Sequence, residues 1–276
     1  MKFTTNQEQR LSEIGCVLDP EPSFTSAIER EAAFKDLERS CIENNRKALQ
    51  ELRAQGREPA VNALSASISR FLRDQGFIEV STPIVISKAF LEKMTVGDDH
   101  ALSKQVFWLD DKSCLRPMLA PNLYDISKRM LNIYGSPLGV FEIGPCFRKE
   151  SQGSKHLENF TMVNFVEWGI DEAIKVDRLK DLATKFMQHI GINDFSFQED
   201  ESVVYGITLD VMVGEVELAS GAFGPHPLDV SWDYDGTWLG LGVGLERVVM
   251  IKEGLDTIQK AGRSLRYLGG VSLQFK

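Results

Sequence analysis

The stretch that most restricts this chain is WLGLGVGLERVVMI, Trp238 to Ile251. Glycines stand at 240, 242 and 244, a period of two. On a strand, residues two apart share a face. One face of this strand is therefore bare backbone, while Leu241 and Val243 project to the other side and enter a core. A strand with a bare face offers a floor that a flat ligand can approach closely. Glu246 and Arg247 follow at the start of an apolar helical run. Helix N-termini favour anions, and an arginine there adds a full charge. A dinucleotide loop needs G-x-G-x-x-G in a βαβ unit, and this spacing does not match it. A glycine-rich bend serving close packing alone uses the same residues.

A second stretch, CFRKESQGSKHLENFTMVNFVEW, joins two strand-like runs by a loop carrying Arg148, Glu150, His156 and Glu158. Arginine stabilises charge developing on a phosphate, and an aromatic such as Phe160 stacks on a base. A surface hairpin with scattered charges is the plain alternative. In the returning run Met162, Asn164, Val166 and Trp168 share one face. A buried Asn there needs partners or costs about 1–3 kcal/mol. The core or a ligand can supply them.

The remaining sequence sets the frame. The chain has 276 residues, 43% apolar and 26% charged, enough for one large domain or a catalytic domain with a small appendage. No apolar run approaches the roughly 18 residues of a membrane span, and the N-terminus has no apolar signal core. The expected setting is cytoplasmic, with no membrane partner. Cys16, Cys41, Cys114 and Cys146 form no C-x-x-C pair or zinc spacing and are expected to be reduced thiols. The net charge of −9 requires any nucleic-acid contact to use a local basic patch. QKAGRSLRY, with Lys260, Arg263 and Arg266, is the candidate; a solvated helix face is the alternative.

Residues 1–60 are charged and helical in pattern, with a capping box at Ser26-x-x-Glu29 and an apolar stripe of Ala27, Phe34, Leu37 and Cys41. Leu64, Ile68, Phe71 and Leu72 predict a helix that Gly76 closes. FIEVSTPIVIS predicts a strand broken at Pro83. Further strands are predicted at Val106–Leu109, Val140–Cys146, Thr161–Trp168, Thr208–Met212, Val216–Ser220 and Leu239–Val243, and a helix near Ile174–Ile190. Strands arriving without intervening helices predict an α+β fold, an antiparallel sheet flanked by helices.

The second and first stretches together resemble motifs two and three of class II aminoacyl-tRNA synthetases, and residues 64–86 resemble motif one, the dimer-forming element. FRKES…HLENFTMVNF, LRPMLAPNLY, VYGITLDVM, ELASGAFGPH and GLGVGLER resemble the catalytic domain of the pyrrolysyl-tRNA synthetase family. The resemblance implies a class II catalytic domain over residues 61–276, with a sheet of six or seven antiparallel strands, and a helical tRNA-binding segment over residues 1–60. It implies a homodimer that uses ATP and Mg²⁺ to join an amino acid, pyrrolysine, to tRNA through an aminoacyl adenylate.

The resemblance also assigns roles. Arg148 and Arg247 are the catalytic residues. Arg148 touches the α-phosphate and the substrate carboxylate; Glu150 reads the adenine and His156 lies near the phosphates. Phe160 stacks on adenine opposite Arg247, which holds the γ-phosphate. Glu217 and Ser220 position Mg²⁺, although residues three apart on a regular strand point to opposite faces. Leu119, Ala120, Leu123, Tyr124, Asn164, Val166, Ala222 and Trp238 line the amino-acid pocket, with Tyr205 as a mobile cover. For Leu119 and Leu123 taken alone, plain core packing is the simpler reading. Lys260, Arg263 and Arg266 are the candidates for tRNA contact.

The sequence departs from the family pattern in four places. The separate N-terminal tRNA-binding domain of longer members has no counterpart in these residues, so tRNA recognition is expected on this chain or a partner. Ser127 stands where a larger apolar residue is expected, and Trp168 and Phe223 are bulkier than expected. A class II ligase for another large amino acid, N6-acyl-lysine or phenylalanine-like, and a non-catalytic synthetase-like RNA-binding protein are the alternative functions.

Overall fold

A computed structural model describes residues 1–16, 23–149, 157–202 and 204–275. The described chain divides into two units, Met1–Ala60 with Gln259–Lys276, and Val61–Ile258.

In the first unit, helix α1 (Thr5–Glu13) starts at a reciprocal cap: Thr4 Oγ1 accepts from Gln7 N, and Gln7 Oε1 accepts from Thr4 N. Helix α2 (Ala27–Gln55) starts at Ser26, whose Oγ accepts from Glu29 N at 3.1 Å. The Glu29 carboxylate accepts from Thr25 instead of Ser26, so only half of the expected box forms. The two helices share a small core of Phe3, Leu11 and Ile14, against which Phe34, Cys41 and Ile42 pack. Cys16 and Cys41 form a disulfide, where the sequence predicts reduced thiols. This packing brings their Cα atoms to 5.8 Å, within the range a disulfide spans.

The basic run is not a helix face. It begins within a single 3₁₀ turn, Ile258–Lys260, and leads into a hairpin of Tyr267–Leu268 and Val271–Ser272. Gly269 and Gly270 form its tip with φ of 56° and 81°, as a two-residue primed turn requires.

The second unit opens with α3 (Ala60–Asp74), which buries Leu64, Ile68 and Leu72. Pro83 then separates β1 (Ile78–Glu79) from β2 (Val85–Ser87). Short helices α4 (Lys88–Lys93) and α5 (Ala101–Gln105) lead to β3 (Ser113–Leu115) and α6 (Ala120–Tyr134). The hairpin of β4 (Leu138–Phe147) and β5 (Asn159–Trp168) precedes α7 (Lys175–His189). A meander of β6 (Ser196–Ser202), β7 (Gly206–Val213) and β8 (Val216–Phe223) then leads to β9 (Trp238–Gly244) and α8 (Leu245–Lys252).

Seven strands form one sheet in the order β1-β4-β5-β9-β8-β7-β6. Its pairs are antiparallel except β1–β4, which is parallel, so the sheet is mixed where pure antiparallel pairing is expected. β2 and β3 make a separate ladder. The strand predicted at Val106–Leu109 is reduced to one bridge, Trp108 opposite Cys114, flanked by Leu115 N donating to Phe107 O and Leu109 N donating to Ser113 O. Val106 is buried, Leu109 is exposed, and the Trp108 indole donates to Ser103 O; the strand Ser113–Leu115 lies just after it and makes its ladder with β2.

The sheet has two unlike faces. Val163, Phe165, Leu241 and Val243 are buried on the back, where Phe186 of α7 meets Phe165 at 5.8 Å between ring centroids. Met162, Asn164, Val166 and Trp168 share the front with Gly240, Gly242 and Gly244.

Candidate active site

The front of the sheet floors a cavity of about 650 Å³. The register orders its length: Gly244 faces Met162, Gly242 faces Asn164, Gly240 faces Val166 and Trp238 faces Trp168. A Cβ added at Gly244 would meet nothing within 4 Å, so the row opens directly onto cavity space at this end. The three glycines line the cavity.

At the Gly244 end the lining is charged. Arg247 sits in the first turn of α8, and its Nη1 donates to Glu217 O at 2.6 Å and lies 3.8 Å from Glu217 Oε1. Burial raises the pKa of the Glu217 carboxyl, and the Arg247 guanidinium opposes this. The parity problem at Glu217 and Ser220 has a structural answer. Met212 pairs with Glu217 while Val211 pairs with Ala219, so Leu218 is an extra residue in β8. This bulge shifts the alternation by one, and Glu217 and Ser220 both reach the cavity. Ser220 Oγ donates to Asp210 Oδ1 at 2.6 Å. Carboxylate and hydroxyl oxygens of this kind suit a hard cation that keeps phosphate and water among its ligands.

Arg148 follows β4, and two adjacent carbonyls hold the end of that strand and the arginine. Phe147 N donates to Arg116 O at 3.0 Å, and Arg148 Nε donates to Pro117 O at 2.9 Å. Its guanidinium lies 5.5 Å from the Phe160 ring centroid, a cation–π distance. Arg148 and Phe160 both line the cavity. Glu150 and His156 lie outside the described residues.

The middle and far end are apolar. Leu119, Ala120, Leu123 and Tyr124 come from the start of α6, where Pro121 fits the first helical turn. Val166, Ala222, Tyr205 and Trp238 complete this part of the lining. Asn164 is the polar group on this stretch of floor, and among the described residues its buried Oδ1 has no hydrogen-bond partner. Tyr205 packs against Trp238 at 5.9 Å between centroids. Burial, and secondarily Asp229, raise the pKa of its hydroxyl, so it stays a neutral donor at any working pH.

The unusual residues Ser127 and Trp168 meet around one small void, which Tyr124 separates from the cavity. Phe223 stands at the end of β8 with the Lys175 ammonium 5.5 Å from its ring centroid. Lys260, Arg263 and Arg266 belong to the other unit, where Arg263 and Arg266 are exposed.

Sequence reasoning assigns no role to four acids and one arginine near the site. Glu246 is buried and both its oxygens accept from Thr161 N, tying α8 to β5. Asp210 holds Ser220. Glu142 and Arg116 form a buried ion pair at 2.8 Å. Asp229 is buried and accepts from Tyr124 and Trp238. The legible signal for Glu142 is its position in VFEIGPCF, a charge between apolar neighbours of its own parity.

The family model for the tRNA synthetases class II core domain (F) matches residues 43–269. The crystal structure of pyrrolysyl-tRNA synthetase from Desulfitobacterium hafniense superimposes with a TM-score of 0.91 at 45% identity, covering 99% of this chain and 98% of that one. A structure of PylSc, a pyrrolysyl tRNA synthetase of the same organism, gives 0.89 at 44% identity, covering 99% and 95%. The threonine–tRNA ligase of Wolbachia sp. subsp. Drosophila simulans (strain wRi) is 28% identical over 168 residues. The chain spans 25% of that ligase's length, and 57% of the chain is matched.

Proposed function

We infer a function from one premise: the chain belongs to the class II aminoacyl-tRNA synthetases and, within them, to the pyrrolysyl-tRNA synthetase family. We propose that it attaches pyrrolysine to its tRNA in two steps. A carboxylate oxygen of the amino acid attacks the α-phosphorus of ATP, the bond to the bridging oxygen breaks, and pyrophosphate leaves. The hydroxyl of the 3′-terminal adenosine of tRNA then attacks the acyl carbon, and AMP leaves.

The observation that carries this reading is that one strand floor joins the two halves of the task. Arg148, Glu217 and Arg247 lie toward the Gly244 end of the cavity, Asn164 stands between the ends opposite Gly242, and Tyr124 and Trp238 lie toward the other end. Arg148 neutralises charge on the α-phosphate and orients the attacking carboxylate. Arg247 holds the outer phosphate, and Phe160 presents a ring face for the base. Glu217 and Ser220 would hold Mg²⁺, which neutralises phosphate charge when bound. The Asn164 amide donates to the carbonyl of an N6-acylated lysine side chain, and the apolar walls take the ring beyond it. A site built around one polar partner disfavours ligands that leave it unpaired.

The exposed apolar residues Ile78, Ile84 and Val85 in the motif-one segment support a homodimer. Helices α1 and α2 and the basic run of Lys260, Arg263 and Arg266 are proposed to contact tRNA; deleting residues 1–55 should then impair tRNA charging more than adenylate formation. The primary test is amino-acid-dependent ATP–pyrophosphate exchange with pyrrolysine, N6-acylated lysines and phenylalanine. Exchange driven by pyrrolysine and long N6-acyl-lysines, and not by phenylalanine, is expected. Exchange driven by phenylalanine alone selects the alternative ligase, and no exchange with any of them selects a non-catalytic role.

A further inference from the structure

The end of the side-chain slot is built of aromatic rings, and one buried carboxylate holds two of them. Asp229 is 2% exposed and lies in the short 3₁₀ segment Pro227–Trp232. Its Oδ1 accepts from Tyr124 Oη at 2.7 Å. Its Oδ2 accepts from Trp238 Nε1 at 2.8 Å and from His226 N at 2.7 Å. Tyr124 comes from α6 and Trp238 from β9, so a single side chain links two elements that both line the slot.

The strand register says what these rings do. Trp238 lies four residues beyond Gly242, the residue facing Asn164, in the direction away from Arg247. At about 3.3 Å per strand residue that is roughly 13 Å, a length suited to an extended side chain beyond its polar group. The bare glycine floor stops at Trp238. The backbone cooperates: a Cβ on Gly224 would lie 2.0 Å from Trp238 Nε1, so the indole rests on a residue that has none. Tyr124 meets Trp238 at 5.8 Å and Trp168 at 5.0 Å between centroids, both edge to face.

We propose that Asp229 is a positioning residue that fixes this end wall, and thereby sets the length of amino-acid side chain the slot accepts. The proposal rests on the functional reading above. Asp229 touches no reacting atom. Buried without a cationic hydrogen-bond partner among the described residues, its carboxylate is costly to keep, and three aligned donors offset that cost.

The test is ATP–pyrophosphate exchange by the full chain, with N6-acetyl-lysine as the short substrate and N6-benzyloxycarbonyl-lysine as the long one. Asp229→Ala should raise KM for the long substrate at least ~10-fold, leave KM for ATP within ~2-fold, and change KM for the short one less than ~3-fold. Asp229→Asn keeps an acceptor for the two N–H donors, while Tyr124 Oη can accept from its amide. It should recover the long-substrate KM to within ~3-fold of the parent. If Asp229→Ala does not fold, Tyr124→Phe takes its place, because it removes one donor to the same carboxylate without leaving a buried N–H unpaired. It should raise the long-substrate KM at least ~3-fold with KM for ATP unmoved. An unmoved long-substrate KM, or equal rises for both amino acids and ATP, overturns the positioning role. Absence of exchange by the parent with any amino acid overturns the functional reading, and the positioning role with it.

Discussion

Glu142→Gln isolates a charge at constant shape. In the parent, Glu142 Oε1 accepts from Arg116 Nη1 at 2.8 Å and from Thr82 N at 3.1 Å, and Oε2 accepts from Thr82 Oγ1 at 2.6 Å. A glutamine with its carbonyl in the Oε1 position keeps the first two bonds. Its amide meets Thr82 Oγ1, which already accepts from Arg116 Nη1 and Asn122 Nδ2, so that one bond is lost with the charge. What it removes is the negative charge facing Arg116, which is 1% exposed. An arginine left buried without its counter-ion costs about 3–5 kcal/mol. For a unit of this size each kcal/mol moves the melting temperature about 2–4 °C, so a fall of roughly 6–20 °C is expected. Differential scanning calorimetry of parent and variant at neutral pH reads it. The paired replacement Arg116→Met with Glu142→Leu should recover most of the loss, because it removes both charges together. It will not restore the arginine's bond to Pro145 O. A fall of less than 2 °C in Glu142→Gln would mean that water reaches the pair and that the desolvation argument is wrong.

Three further outcomes are expected. Arg148→Ala should stay folded and lose at least ~10³ in ATP–pyrophosphate exchange, the range for an arginine placed on a transferring phosphate; near-normal exchange removes Arg148 from the chemistry. Asn164→Ala should fold, weaken pyrrolysine activation at least ~10-fold and begin to accept large aromatic amino acids; an unchanged preference would make Asn164 a core residue. Burial pushes the Cys114 thiol up to about 11 and the Cys146 thiol up to about 12, so both stay protonated through pH 8 and expose no thiolate. Neither should react with a disulfide reagent in the native protein at pH 8, and rapid labelling of either under native conditions contradicts that burial.

The parts of the fold that repeat a simple period are legible in the sequence. The glycines of β9 read correctly because alternation survives any tertiary context, and β4, β5 and α7 fall within a few residues of their expected places. What is hidden depends on a partner. β6 is nearly all polar, SFQEDES, because both its faces are largely exposed; its ladder with β7 comes from backbone bonds that side-chain pattern does not record. Ser113–Leu115 forms a strand because β2 lies beside it, while the more strand-like Val106–Leu109 meets that strand at a single bridge, Trp108 opposite Cys114.

The cavity shows the same split. Asn164 stands out by its polarity on an apolar face. The shared face of Glu217 and Ser220 depends on an extra residue that only the pairing of β7 with β8 reveals. Asp229 gives no periodic signal at all, because its three donors come from α6, β9 and its own turn.

The glycine floor of β9 makes the slot adjustable in one direction only. Removing atoms deepens a pocket, and Gly240, Gly242 and Gly244 have no side-chain atoms to remove. Any substitution there adds volume above the sheet; at Gly242 the first added carbon already stands 3.4 Å from Met162 Cε. New room for a larger amino acid must therefore come from outside β9, where Tyr124 of α6 and Asn164 and Val166 of β5 still have atoms to give up. A library that randomises the three glycines will return narrower or inactive enzymes, whereas one that spares them and varies those three positions searches the direction in which this slot can grow.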